Sequence, residues 1–151
     1  MRCAVFIASL VVALTVTIAG FAQTPAGWVD QEPSEGVLRS VRHTESQSGV
    51  NIVRVRINRD DVDRFRRNFD KQLEEGDLTA ISSDTQKVLG KVAHVDRYVR
   101  RVFDTDFDVI AIHLYHKGSL LQVVAWLRPT AEHTSSSLEA DIFSLLEGLA
   151  K

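Results

Sequence analysis

The chain has a single cysteine, Cys3, and a single methionine, Met1. Both lie before residue 23, so the body that follows carries no thiol. That excludes structural disulfides, thiolate zinc centres and a cysteine nucleophile from the body. An excess of positive charge is also missing. Setting aside Arg2 leaves 17 Lys and Arg against 20 Asp and Glu, a net charge of −3 where the whole chain carries −2. A surface of that balance does not suit general nucleic-acid binding, which needs a dominant basic face. There is no Gly-x-Ser-x-Gly elbow, no phosphate-cradling glycine loop and no His-Glu-x-x-His pair. Beyond residue 22 no apolar run approaches the roughly 18 residues of a membrane span.

What is present begins with the leader. Arg2 gives a positive start, Ala4 to Phe21 is apolar or small without a charge, and Gly20-Phe21-Ala22 places small residues where a signal peptidase cuts. The expectation is a signal peptide over 1–22, an extended lead-in over 23–36 pinned by Trp28, and a single α+β domain over 37–151. The protein is then periplasmic or secreted; the alternative is an uncleaved segment anchoring it to the membrane. Either way the body has the size of one ordinary domain with a real core.

Val37 to Val41 reads as a short strand, and Val50 to Asn58, where Val53, Val55 and Ile57 alternate with Arg54, Arg56 and Asn58, as a half-buried strand in a hairpin with 37–43. A helix is expected from Asp61 to Glu75, capped by Asn58 or Asp60 and closed at Gly76, with Val62, Phe65, Phe69 and Leu73 as its apolar stripe. Residues 84–103 fit two structures. Val88, Val92, Val95, Val99 and Val102 step by 4, 3, 4 and 3 as in a helix, yet β-branched residues favour strand. Phe107 to His116 and Leu120 to Arg128 are central strands joined by a tight turn at Lys117-Gly118-Ser119. Ser136-Ser137-Leu138-Glu139 has the form of a capping box opening a C-terminal helix, with Leu138, Ile142, Leu145 and Leu149 on its apolar side.

This order of elements resembles the PsbP-like α+β fold, shared by photosystem extrinsic subunits, the Ran-binding nucleotide-release factor and many exported bacterial domains. Gly49 to Val55 corresponds to the strand before the first helix, and Gly90-Lys91-Val92-Ala93 to the small-residue step opening the middle strands. Gly118 to Val124 resembles the late hairpin, and Leu138 to Leu149 the closing helix. The resemblance implies an antiparallel sheet of about five to six strands with both helices packed on it, and it turns 92–103 toward strand. It also implies binding or scaffolding of other proteins. It carries no catalytic residue to this chain.

The residues nominate no catalytic, cofactor-binding or metal-ligating position. Asp104, Asp106 and Asp108 are spaced as for a hard cation, but Val109 and Tyr115 stand where a calcium loop needs glycine and glutamate, and a solvated turn explains them better. His113 and His116 would project to opposite faces of a strand, and His43, His94 and His133 are scattered. Arginines recur over 54–67 and 97–101. They are read as the wet faces of amphipathic elements paired with Asp60, Asp61, Asp63 and Asp70; a basic patch for an anionic partner is the alternative. The functional expectation is an exported, non-enzymatic binding domain for an envelope or extracellular protein. It uses no cofactor and no nucleic acid, and meets a membrane only if the leader is retained. The alternatives are a small extracytoplasmic enzyme with a site assembled from non-local residues, or a membrane-tethered peripheral module.

Overall fold

Residues 84–103, torn between helix and strand in sequence, are strand on both sides of a turn. The computed structural model describes residues 24–150; the expected signal peptide lies outside them. The described elements are β1 (Trp28–Gln31), β2 (Val37–His43), β3 (Gly49–Val55), α1 (Val62–Glu75), β4 (Thr79–Val88), β5 (Lys91–Val102), β6 (Thr105–His116), β7 (Ser119–Leu127) and α2 (Ser135–Glu147). The strands form one antiparallel sheet in the order β1-β2-β3-β7-β6-β5-β4. Seven strands stand where five to six were expected. The additions are β1, formed within the lead-in, and β4, whose polar residues give no apolar alternation to read.

The long hairpins have a local cause. Lys117 and Gly118 both take positive φ, 50° and 77°, as do Leu89 and Gly90 at 53° and 70°. Two successive left-handed residues make the two-residue turn whose twist matches paired strands. Each strand then divides its side chains between two layers. Val50, Ile52, Val95, Ile110, Ile112, Val123 and Leu127 face Leu138, Ile142, Leu145 and Leu146 of α2 in the main core. Tyr98, Val109 and Ala111 face Phe69 and Leu73 of α1 in a smaller one. The near-continuous apolar runs of β6 and β7 follow from this covering on both sides.

The helix ends depart from the expected caps. No side chain caps α1. Its chain enters through a 3-10 turn at Arg59–Asp61, whose backbone bonds (Asp61 N–H to Asn58 O, Val62 N–H to Arg59 O) use the donors that Asn58 or Asp60 would have taken. At the other end Gly76 N–H reaches Gln72 O, but the left-handed residue is Asp77, at φ 66°. In α2 the cap is Thr134 rather than Ser136: its hydroxyl accepts from Ser137 N–H at 3.3 Å. Glu139, the expected box partner, instead accepts from Arg97 of β5. Thr134→Ala should therefore cost about 1 kcal/mol in urea unfolding, and Ser136→Ala close to nothing.

Candidate functional site

α1 lies over β5, β6 and β7, and the side chains beneath it are more polar than its apolar stripe implies. His113 of β6 is 1% exposed. Phe65 and Phe69 meet its ring edge-on, at centroid distances of 5.9 and 5.3 Å, and its Nε2 lies 3.3 Å from the Gln122 side-chain amide across the β6–β7 ladder. Its Nδ1 is buried without a hydrogen-bond partner. Burial, and then the nearby Arg66 charge, push its pKa down to about 4, so the ring is neutral at neutral pH. On β5, His94 stands directly opposite His113, and burial followed by Arg66 lowers its pKa too. Asp96, next but one along β5, is buried and accepts from Arg66 of α1 at 3.2 Å and from the Ser83 hydroxyl of β4. The Tyr98 hydroxyl donates to Asp70, and burial followed by that bond raises its pKa. Two polar ties, Arg66 to Asp96 and Asp70 to Tyr98, thus clamp α1 to the sheet.

Where the start of α1 overhangs the turn ends of the strands, an open cleft of about 410 Å³ remains, lined by Arg59, Asp63, Lys91, His94, His113 and Tyr115 among others. The Arg59 guanidinium sits 6.0 Å from the Tyr115 ring centroid, a cation–π arrangement. A second cleft, of about 600 Å³, lies at the same end of the sheet and is lined by Arg54, Arg56, Asn58, Asp61, Lys117 and Ser119 among others. At neutral pH this end of the sheet presents exposed guanidinium and ammonium groups beside neutral imidazoles. The field of such a surface attracts anionic groups; among the described residues no hydroxyl hydrogen-bonds to either imidazole of the cleft.

The structure sorts the arginines that sequence grouped together. Arg64 pairs with Asp61, Arg66 with Asp96, Arg97 with Asp84 and Glu139, and Arg101 with Asp106. Arg54, Arg56, Arg59, Lys91 and Lys117 make no ion pair with the described residues. Arg64 and Arg101 lie on wet faces as expected and Arg66 is mostly buried under α1, whereas the second group stays exposed. The three aspartates of 104–108 do not converge: Asp106 is held by Arg101 and Asp108 accepts from Ser135. The histidines read as scattered are not. His94 and His113 share the cleft, and His43 and His133 meet with ring centroids 4.5 Å apart. Neither meeting has a signal in spacing, because each depends on strand register or on a loop return.

Sheet order, two helices on opposite faces and the β3–α1–β4 connection define the PsbP-like α+β fold. Among solved structures the chain is similar to cyanobacterial PsbP (CyanoP) from Synechocystis sp. PCC 6803, with 16% identity and a TM-score of 0.51 over 81% of this chain and 79% of that one. It is also similar to a mutant form of Mog1, with 10% identity and a TM-score of 0.52 over 83% and 84%. A third likeness, to a Bacteroides thetaiotaomicron VPI-5482 protein, has 13% identity and a TM-score of 0.54 over 86% of this chain and 42% of that one. No family model matches the chain, and no curated protein does. At these identities the likeness concerns fold alone. Among the described residues no helix is long and apolar enough to cross a membrane.

Proposed function

We propose that the protein is an exported, non-enzymatic binding domain whose basic end receives an acidic segment of an envelope or extracellular protein. The observation that carries this reading is the gathering of Arg54, Arg56, Arg59, Lys91 and Lys117, none of them ion-paired to a described residue, around two clefts at one end of the sheet. They come from the end of β3, the turn before α1, the start of β5 and the β6–β7 turn, which an antiparallel sheet brings to one end. His116 lies among them: burial first, then Lys117, Lys91 and Arg54, lower its pKa. A local basic field on a chain of net charge −2 steers an acidic partner to that end and orients it there. The leader Met1 to Ala22 supports the export.

The test is titration of a glutamate-rich peptide into isotope-labelled protein. Amide shifts should cluster at 54–59, 90–94 and 116–119, weaken with salt, and be absent with a serine-rich control. Reversing Arg54, Arg59 and Lys117 to glutamate should weaken binding about tenfold, since exposed charge pairs contribute up to about 1 kcal/mol each. Shifts that survive the reversal would sink the proposal, and stronger binding to anionic vesicles than to the peptide would replace the protein partner with a lipid surface. A second reading, a small extracytoplasmic enzyme, is favoured by the paired imidazoles of the 410 Å³ cleft; turnover of a small anionic substrate that is lost in His94→Ala would establish it instead.

A further inference from the structure

At the opposite end of the sheet, the β2–β3 turn and the loop between β7 and α2 bring Glu45, Glu132 and His133 together. One ligand atom of each, two carboxylate oxygens and an imidazole nitrogen, lies within 4.8 Å of the other two. We propose that these three side chains form a binding site for a single divalent transition-metal ion, with zinc the cation their chemistry suits best.

Charge is the first argument. His133 Nε2 lies 2.6 Å from Glu45 Oε2. Glu132 stands in the same cluster and makes no ion pair with any described residue. Two carboxylates converging beside one imidazole have the charge that a dication neutralises. Distances agree: ligands about 2.0 Å from a tetrahedral zinc stand about 3.3 Å apart. The Glu45–His133 contact then opens by less than about 1 Å, and the remaining contacts, none longer than 4.8 Å, close by at most about 1.5 Å, within reach of exposed glutamate side chains.

The second argument lies behind the cluster. His43 is 2% exposed, its Nδ1 has no hydrogen-bond partner, and its ring meets that of His133 edge-on at 4.5 Å. A buried imidazole with unmet bonding capacity against the cluster's own imidazole is costly without a purpose. Packed edge-on against His133, the His43 ring fixes the orientation of the liganding imidazole, as groups outside the ligand set do at zinc sites. The loops are held before any ion arrives. Thr130 N–H donates to His133 O at 2.8 Å, His133 N–H to Thr130 Oγ1 at 3.1 Å, and Arg128 N–H to Ser48 Oγ at 2.9 Å, tying one loop to the other. One imidazole with two carboxylates favours zinc over calcium or magnesium, which take oxygen ligands in larger number.

The experiment is calorimetric titration of zinc chloride into the full chain carrying Cys3→Ser, so that the leader thiol does not compete, with calcium chloride as comparator. One equivalent of zinc should bind and calcium should bind far more weakly. Glu132→Gln and His133→Gln should each weaken zinc at least about tenfold, and His43→Ala about tenfold as well, while His94→Gln changes nothing. Zinc-induced amide shifts in the parent protein should centre on 43–48 and 128–134, which tests the site without relying on any variant's folding. Absence of zinc binding overturns the proposal. So does zinc binding that persists in His133→Gln or that shifts the amides of the His94–His113 cleft instead.

Discussion

Replacing Asp96 with alanine should lower the stability of the domain by about 3 kcal/mol, more than any surface substitution. The Asp96 side chain is 5% exposed and that of Arg66, its partner on α1, 15%. Their contact, at 3.2 Å, is one of the ties that hold α1 to the sheet, and Ser83 completes the carboxylate's bonding from β4. Without Asp96 the guanidinium keeps only Asp63, 3.9 Å away and exposed, while its Nε already lacks a partner. The cost is then that of a mostly buried cation stripped of its counter-charge rather than of one lost hydrogen bond. A second substitution separates these two accounts. Arg66→Met added to Asp96→Ala removes the stranded charge, and the double variant should regain much of the loss, because a buried ion pair itself contributes little beyond an apolar replacement. Urea unfolding with an unchanged slope and a shifted midpoint is the readout. If the double variant is as unstable as the single, the stranded charge is not the cause.

The contrast between β5 and α1 shows how far residues alone reach. The α1 stripe of Val62, Phe65, Phe69 and Leu73 is legible because its period is local and its packing needs no partner to define it. In β5 the valines at 92, 95, 99 and 102 obey a helical period by coincidence. Val95 is buried against α2, while Val92 and Val102 are exposed, so the core uses only part of the pattern. What fixes β5 as strand is nine residue pairings to β6, and a strand's preference is largely its neighbours' side chains rather than its own. The same logic hid the polar layer. His94, Asp96 and Tyr98 occupy alternate positions of one strand, a readable set, but only the alternation seen in place says that they face α1. Glu45 and His133, 88 residues apart, had no signal in sequence.

Stability should fall as pH drops from 6.5 to 4, and His113 should account for the largest single share of that fall. In the unfolded chain its imidazole takes a proton near pH 6.5. In the fold, burial first and the Arg66 charge second hold its pKa down to about 4. Between these values the unfolded state binds the proton and the native state does not, so acid drives unfolding, and stability is fully present only above about pH 6.5. A gap of about 2.5 units corresponds to about 3 kcal/mol by pH 4. His43, His94 and His116 are lowered as well and add in the same direction. Urea midpoints at pH 7 and pH 4 measure the total. His113→Gln keeps a polar side chain for Gln122 to meet and removes the proton, so its midpoint should move much less between those two pH values than that of the parent. An equal fall in both would place the acid sensitivity outside the layer under α1. Combining His113→Gln with Arg66→Met locates the coupling: Arg66→Met alone removes the second cause of the depressed pKa and should shallow the parent's acid response, whereas in the His113→Gln background it should alter that response far less.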